Sequence, residues 1–259
     1  MRGSVSENWN DWDQQETIKT MSSYIKRATG ELPEKESSKS TARFLKKHKI
    51  YKNGNKLLDV GGSCGHFLRS FINILDEKID YTCLDIKLDF ILQGQLIWKD
   101  HKSSKFVLGD CLDMPFDDSY FDIVFVNLFH FFPDIKKALF EALRVSKKYV
   151  IWRTPICEKA NYLVKYYFDK DFEELGELSF DRNDLDYCIY NIFTEKYLRG
   201  MINKIGGEVV VFERDQDFEE FDNTKLDMFS DQPSTKVVGN LQVNGSLILD
   251  WHYIAIKKK

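Results

Sequence analysis

Between Lys56 and Pro155 short apolar runs alternate with amphipathic ones, and this alternation limits the possible folds more than any other feature of the chain. Lys56-Leu-Leu-Asp-Val60 reads as a buried strand. The stretch after it, His66 to Leu75, carries Phe67, Leu68, Phe71, Ile72 and Leu75 at helical spacing. Tyr81–Asp85 reads as a second strand and Phe90–Trp98 as a helix, followed by a third strand at Lys105–Gly109 and a fourth at Phe121–Asn127. Asp134–Val145 then reads as a helix, announced by Pro133, and Lys148–Thr154 as a fifth strand. Strands separated by helices cannot pair as hairpins, so they form a parallel sheet with helices on both faces. Ligands of such sheets bind beyond the carboxyl ends of the strands, where the strand order reverses.

The flanking regions break this rhythm. Residues 1–50 are polar and read as an N-terminal helical cap, with helices over roughly 10–29 and 39–48 and a loop around Pro33. Trp9, Trp12 and Tyr24 give it an aromatic side, either as a lid over a site or as packing alone. Residues 51–259 read as one domain with an aromatic-rich insertion at about 157–200, then a helix over 194–205. Strands at 208–214 and 246–257 close the chain, separated by a polar loop of roughly 30 residues, a length that is usually functional or disordered.

Composition removes several classes. The longest apolar run, Ile123 to Phe132, is broken by Asn127 and His130 and falls short of the about 18 residues of a membrane span. Met1 to Ser40 lacks the apolar centre of a secretory signal. Cys64, Cys83, Cys111, Cys157 and Cys188 are odd in number with no Cys-x-x-Cys pair, which argues against disulfides or a zinc site and for a cytoplasmic location. A net charge of −4, with basic runs only at Lys46–Lys49 and Lys257–Lys259, argues against binding nucleic acid by bulk phosphate attraction.

Three motifs carry chemistry. Asp59-Val60-Gly61-Gly62-Ser63-Cys64-Gly65 joins the first strand to the first helix of the alternation, where glycines let the backbone turn tightly and approach a ligand. Asp85 ends the second strand twenty residues past Gly65, where a carboxylate can accept from ribose hydroxyls. Each reads alone as structural or functional, but the two at this separation argue for a nucleoside ligand. The third motif runs Gly109-Asp110-Cys111-Leu112-Asp113-Met114-Pro115-Phe116 and on through Phe121-Asp122.

Together these stretches resemble the class I S-adenosylmethionine-dependent methyltransferases, particularly the small-molecule branch that includes quinone-biosynthesis enzymes. The resemblance covers Lys56 to Pro155. It implies a Rossmann-like α/β fold, a doubly wound, mostly parallel seven-stranded sheet with an antiparallel last strand. It also implies S-adenosyl-L-methionine as cofactor and S-adenosyl-L-homocysteine as product. Asp59 would brace the loop, while Gly61, Gly62, Ser63 and Gly65 would pass the methionine part of the cofactor. Asp85, with Ile86 beside it, would bind the ribose. Asp110 would accept from the adenine amino group, with main-chain contact from Cys111 or Leu112, and Asn127 would sit beside the methionyl ammonium. The sequence departs from the family at Ser63, which replaces the usual middle glycine, and at Arg144-Val-Ser-Lys-Lys148, which lacks the usual glycine turn.

His130 stands just past the fourth strand, where the family often carries a histidine facing the site, and reads as a general base or as a structural histidine. Arg153, at the end of the fifth strand, reads as a partner for an anionic acceptor or as one half of a salt bridge. Tyr162 and Tyr166, at helical spacing, read as acceptor contacts or core packing. The expected activity is methylation of a small-molecule acceptor, at a hydroxyl before nitrogen or carbon, with sugars, surface-polysaccharide precursors and natural-product scaffolds as candidates. An RNA or protein N-methyltransferase would show a basic appended domain or an Asn-Pro-Pro-Tyr-type loop, whereas Asn127-Leu-Phe-His130 stands here. A non-catalytic binder of the cofactor would lose the glycine loop, and a nicotinamide dehydrogenase would keep the full Gly-x-Gly-x-x-Gly spacing. No metal site is expected.

Overall fold

The structure is a computed structural model that describes residues 14–132, 134–158, 160–168, 186–216, 236–238, 241–244 and 247–259. Helices α1 (Gln14–Thr29) and α2 (Glu36–Lys47) precede the alternation. It then runs β1 (Lys56–Val60), α3 (His66–Ile74), β2 (Asp80–Asp85), α4 (Leu88–Ile97), β3 (Ser104–Leu108), β4 (Phe121–Val126), α5 (Ile135–Val145) and β5 (Ser146–Ile156). Beyond it lie β6 (Tyr162–Phe168), β7 (Asp186–Ile192), α6 (Glu195–Lys204), β8 (Gly207–Arg214), β9 (Lys236–Val238), β10 (Leu241–Asn244) and β11 (Leu247–Lys258).

The main sheet has the order β3-β2-β1-β4-β5-β11, with β8 pairing β11 on its far side. The five strands from β3 to β5 are mutually parallel, and β11 runs antiparallel to both β5 and β8. These seven strands are the expected doubly wound sheet. Order reverses between β1 and β4, so the loops after those two strands diverge and open a crevice there. Successive strand residues face opposite sides and fill two cores. Leu58, Val60, Val124 and Val126 pack with Leu139, Leu143, Leu198 and Ile202, while Leu57, Ile123 and Phe125 pack with Phe44, Leu45, Phe67 and Phe71.

The structure departs from expectation in three places. The polar loop before the last strand contains β9 and β10, because β11 is long enough to pair β10 through Leu247–Leu249 before it reaches β5. The insertion contains a strand at Tyr162–Phe168, paired antiparallel with Asp186–Ile192, where the tyrosine spacing had suggested a helix. A spacing of four residues keeps two side chains on one face of a strand as well as of a helix, so it did not discriminate. The glycine-free Arg144–Lys148 segment needs no turn, since α5 ends at Val145 and β5 begins at the next residue. There Arg144 donates to the carbonyls of Phe116 and Met114 and to Asp118 and Glu141, holding the third motif in place. Pro133 lies outside the described residues; the start of α5 is capped by Asp134, whose side chain accepts from the Lys137 amide at 2.9 Å.

Helix α2 is fastened to the sheet through Tyr253 of β11. The Tyr253 hydroxyl lies 2.7 Å from Ser40 Oγ and 2.9 Å from Thr41 Oγ1, and its ring stacks on Phe44. All of these groups are buried. Tyr253→Phe should therefore lower the unfolding free energy by about 1–2 kcal/mol in urea denaturation, the loss of buried hydroxyl bonds without a cavity.

Candidate active site

The crevice at the β1/β4 divergence holds a cavity of about 120 Å³, open at its mouth. The ends of β1, β2 and β4 supply Asp59, Gly61, Ser63, Asp85, Ile86, Asn127 and Leu128 to its wall. Helices α3 and α4 add His66, Phe67 and Phe90, and Lys87 precedes α4. Tyr24 of α1 and Lys35, just before α2, close it from above.

The glycine loop turns here because of its unusual backbone. Gly61 has φ +70°, and a Cβ on it would meet Leu128 Cδ1 at 2.2 Å, so no larger residue fits. Gly62 passes so near Asp59 that a Cβ would lie 2.8 Å from its carboxylate. Ser63 also has positive φ, 54°, although it carries a side chain. What holds it there is Asp85, whose Oδ2 accepts from the Ser63 amide at 2.9 Å while Oδ1 accepts from the Lys87 amide at 2.9 Å. Gly65 forms the N-cap of α3. Burial raises the pKa of Asp85 against the lowering effect of those amides. Asp59 is 2% exposed, accepts from Tyr81 Oη at 2.7 Å, and is pushed up to about 7 by burial. Relieving the strain at Ser63 is testable: Ser63→Gly should raise stability by about 1 kcal/mol in thermal or urea unfolding, since glycine adopts this φ freely.

Of the remaining expected site residues that are described, Asn127 alone lines this cavity. Gly109 donates to the Asp85 carbonyl at 3.0 Å, which sets the following Asp110, Cys111 and Leu112 beside the end of β2. Asp110 is half-buried, and its carboxylate accepts from the Leu112 amide at 2.8 Å; these three do not line the cavity. Asn127 lines it, and its Oδ1 accepts from Arg153 Nη1 at 3.4 Å. Arg153 does not stand ready for an acceptor anion. It is 2% exposed, donates to Asp215 Oδ2 at 2.7 Å, and lies 4.1 Å from the Trp251 ring centroid, so its charge is met inside the protein. His130 is also 2% exposed and does not line the cavity; it packs with Phe131, Tyr190 and Trp251. Its Nδ1 has no hydrogen-bond partner among the described residues. Trp9 and Trp12, and the side chains of Tyr162 and Tyr166, lie outside the described residues.

Sequence reasoning missed Lys35, His66, Phe67, Lys87, Phe90 and Leu128. His66 was within reach, since it is the first residue of the helix that follows the glycine loop. Lys35 carries no signal, because only folding brings it to a loop some thirty residues away.

The donor set suits a nucleoside with a charged amino-acid tail. Each oxygen of Asp85 accepts one amide and keeps a lone pair for a hydroxyl, and the wall mixes carboxylates, an amide and aromatic rings without the strict phosphate-cradling loop. Among the described residues no cluster of His, Cys, Asp and Glu is arranged to hold a metal ion, and no helix is long and apolar enough to cross a membrane.

Comparison with known proteins agrees with this geometry. Residues 58–151 match the family described as a methyltransferase domain. None of the curated proteins matches the sequence. Solved structures share the fold at low identity. A Burkholderia thailandensis 1,6-didemethyltoxoflavin-N1-methyltransferase with bound 1,6-didemethyltoxoflavin and S-adenosylhomocysteine is 12% identical, over 86% of this chain and 79% of its own, at a TM-score of 0.56. A Methanosarcina mazei S-adenosylmethionine-dependent methyltransferase is 16% identical over 82% and 95%, at 0.52. A Thermotoga maritima enzyme described as a possible histamine N-methyltransferase is 15% identical over 97% and 100%, at 0.52. The match and the shared fold support a methyltransferase, with residues 58–151 as its methyltransferase domain.

The buried histidines give the fold a signed pH dependence. Burial holds His130 well below 6.5, with the charge of Arg153 adding to it, and burial holds His66 low in the same way. The unfolded chain protonates such groups near about pH 6.5 and the folded chain does not, so their contribution is complete above that pH and is lost as pH falls. Asp59 acts with the opposite sign, because its folded form keeps a proton that the unfolded chain releases above about pH 4. The His130→Phe variant should accordingly lose less Tm than the parent between about pH 7 and pH 5 in calorimetric scans.

Proposed function

We propose that the enzyme methylates a small-molecule acceptor, at a hydroxyl, in a chamber closed by residues 1–50 acting as a cap on a methyltransferase domain of residues 51–259. The observation that carries this reading is that Tyr24 and Lys35, from outside the strand-helix alternation, line the same cavity as Asp59, Asp85 and Asn127. A reaction space roofed in this way admits a compact acceptor and keeps a folded macromolecule at a distance. The net charge of −4 gives no basic field for a nucleic-acid acceptor. The Burkholderia enzyme of similar fold, an N1-methyltransferase with bound 1,6-didemethyltoxoflavin, supports a small-molecule acceptor but not the hydroxyl in particular.

In this reading Asp85 holds the ribose hydroxyls and Ile86 flanks the nucleoside. Gly61, Gly62, Ser63 and Gly65 let the main chain pass beside the methionine part, braced by Asp59. Asp110 accepts from the adenine amino group, with Cys111 or Leu112 in main-chain contact, and Asn127 stands at the amino-acid end. When bound, S-adenosylmethionine supplies an electrophilic methyl on a sulfonium. The protein's main task is to hold the acceptor oxygen in line at near-attack distance, which is worth more than acid-base assistance for such a displacement. His130 is assigned the acceptor's proton. Burial and the charge of Arg153 hold its imidazole neutral and weaken it as a base, so the displacement relies chiefly on positioning. Tyr162 and Tyr166 of the insertion are assigned to the acceptor side, whereas Arg153, matched by Asp215, serves Asn127 in place of an anionic acceptor.

Calorimetry with S-adenosylhomocysteine tests the nucleoside assignment. Asp85→Ala should weaken binding by at least about tenfold, the loss of charge-assisted hydrogen bonds, and unchanged affinity would remove the ribose role. A screen of hydroxylated, amine and carbon acceptors with labelled methyl donor then reads the acceptor atom directly.

A further inference from the structure

Helix α4 is apolar on two sides, and the fold uses only one of them. Phe90, Ile91 and Gly94 turn inward and are buried, with Phe106 of β3 so close to Gly94 that a Cβ there would meet its ring at 2.3 Å. Leu88, Leu92 and Leu96 recur every four residues along the outer side and are 52%, 52% and 64% exposed. Leu108, the last residue of β3, is 50% exposed and shares with Phe106 the face of the sheet that α4 covers. The crossover from β2 to the parallel β3 makes α4 run back against the strands, so Leu108 lies beside the first turns of the helix. A helix that is apolar all round is normally covered, and a strip of four half-bare leucines marks a contact surface.

The strip ends in positive charge. Lys99 follows Leu92 by seven residues, close to two helical turns, and so continues the same line. Lys102 and Lys105 are exposed beyond it, and the three lysines border a groove of about 390 Å³ with Trp98 and His101. No ion pair among the described residues engages any of the three lysines. Between Leu88 and Leu108 they outnumber the two carboxylates, Asp89 and Asp100, although the whole chain carries a net charge of −4.

The strand beside this helix is not itself free to take a partner strand. β3 ends the main sheet, but Gln95 Nε2 donates to the Phe106 carbonyl at 3.4 Å, and the Ser104 amide donates to the His101 carbonyl at 3.0 Å. Edge groups engaged in this way discourage strand addition, which leaves the leucine face and its basic end as the contact surface.

We propose that the outer face of α4, with Leu108 and the basic end formed by Lys99, Lys102 and Lys105, is a peripheral docking surface for an anionic lipid bilayer. Leucines laid at the boundary of headgroups and acyl chains leave water without crossing the membrane, and lysines beside them meet negative headgroups. A second copy of the chain would offer the same leucines but also the same excess of lysine, whereas an anionic bilayer offers hydrocarbon and negative charge together. The surface bears on how the cavity is reached. Phe90 of α4 and Lys87 just before it belong to the cavity wall, so docking sets the cavity beside the bilayer. An acceptor that partitions into lipid then has a short path to the site.

Flotation of the full chain tests this, with vesicles of phosphatidylcholine alone and vesicles with about 30% phosphatidylglycerol added. The protein should float with the anionic vesicles and stay behind with the neutral ones, and about 0.5 M salt should weaken binding at least threefold. Leu92→Gln with Leu96→Gln should weaken it about tenfold, and Lys102→Glu with Lys105→Glu by a similar factor. All four side chains are exposed, so the thermal midpoint should move by less than about 4 °C. Lys136→Glu with Lys137→Glu makes the same charge change at exposed positions of α5, on the other face of the sheet, and should leave binding unaltered. No flotation of the unaltered protein, or an equal loss for the α5 variant, would overturn the proposal. A dimer in sedimentation velocity that Leu92→Gln with Leu96→Gln converts to monomer would also overturn it, and would give this face to a second copy.

Discussion

The two backbone hydrogen bonds accepted by Asp85 are the contact on which the site depends. One oxygen holds the amide of Ser63, the other the amide of Lys87, so a single buried carboxylate ties the glycine loop to the start of α4. Without it, a serine at φ 54° would have no reason to stay in the left-handed region. The cost of burying the charge is offset by amides whose own partners would otherwise be water. Asp59 performs a related task one strand away. It sits against Gly62 and takes the Tyr81 hydroxyl, filling the space beneath the loop.

Around that centre the sheet supplies rigidity and the loops supply chemistry. Order reverses between β1 and β4, and the crevice opens where β1, β2 and β4 end. The third motif contributes less through its own side chains than through Arg144, which gathers the Met114 and Phe116 carbonyls. Behind Asn127, the buried Arg153–Asp215 pair beside Trp251 forms a polar seam within an aromatic cluster. A buried pair of this sort contributes little net stability, but it fixes the direction of the Asn127 amide.

Much of this was legible in the chain. The strands and helices from Lys56 to Val145 fall where apolar periodicity puts them, because each buries one face and the period of burial is written in residue type. The loop glycines and Asp85 stood out because their chemistry is local: a turn that demands positive φ, and a carboxylate at a strand end. Arg153 was ambiguous, as a guanidinium near the cleft can serve a ligand or a neighbour, and Asp215 lies too far along the chain for spacing to reveal it. Tyr162 and Tyr166 were misread as helical because their spacing suits one face of either element. The strand β10 was hidden in a polar stretch because its pairing depends on the overhang of β11.

By itself, then, the sequence determined the doubly wound sheet, the turn after β1 and the carboxylate after β2. Hydrophobic period and backbone stereochemistry act within a few residues, and a reader of residues sees them directly. Tertiary structure alone decided what roofs the crevice. Tyr24, Lys35 and His66 meet because Glu34 binds α3 and Tyr253 binds α2, contacts between segments far apart in the chain. Their effect on one another is electrostatic and depends on distance in space and on exclusion of water. Neither quantity is encoded in residue spacing, and both appear only once the chain has closed on itself.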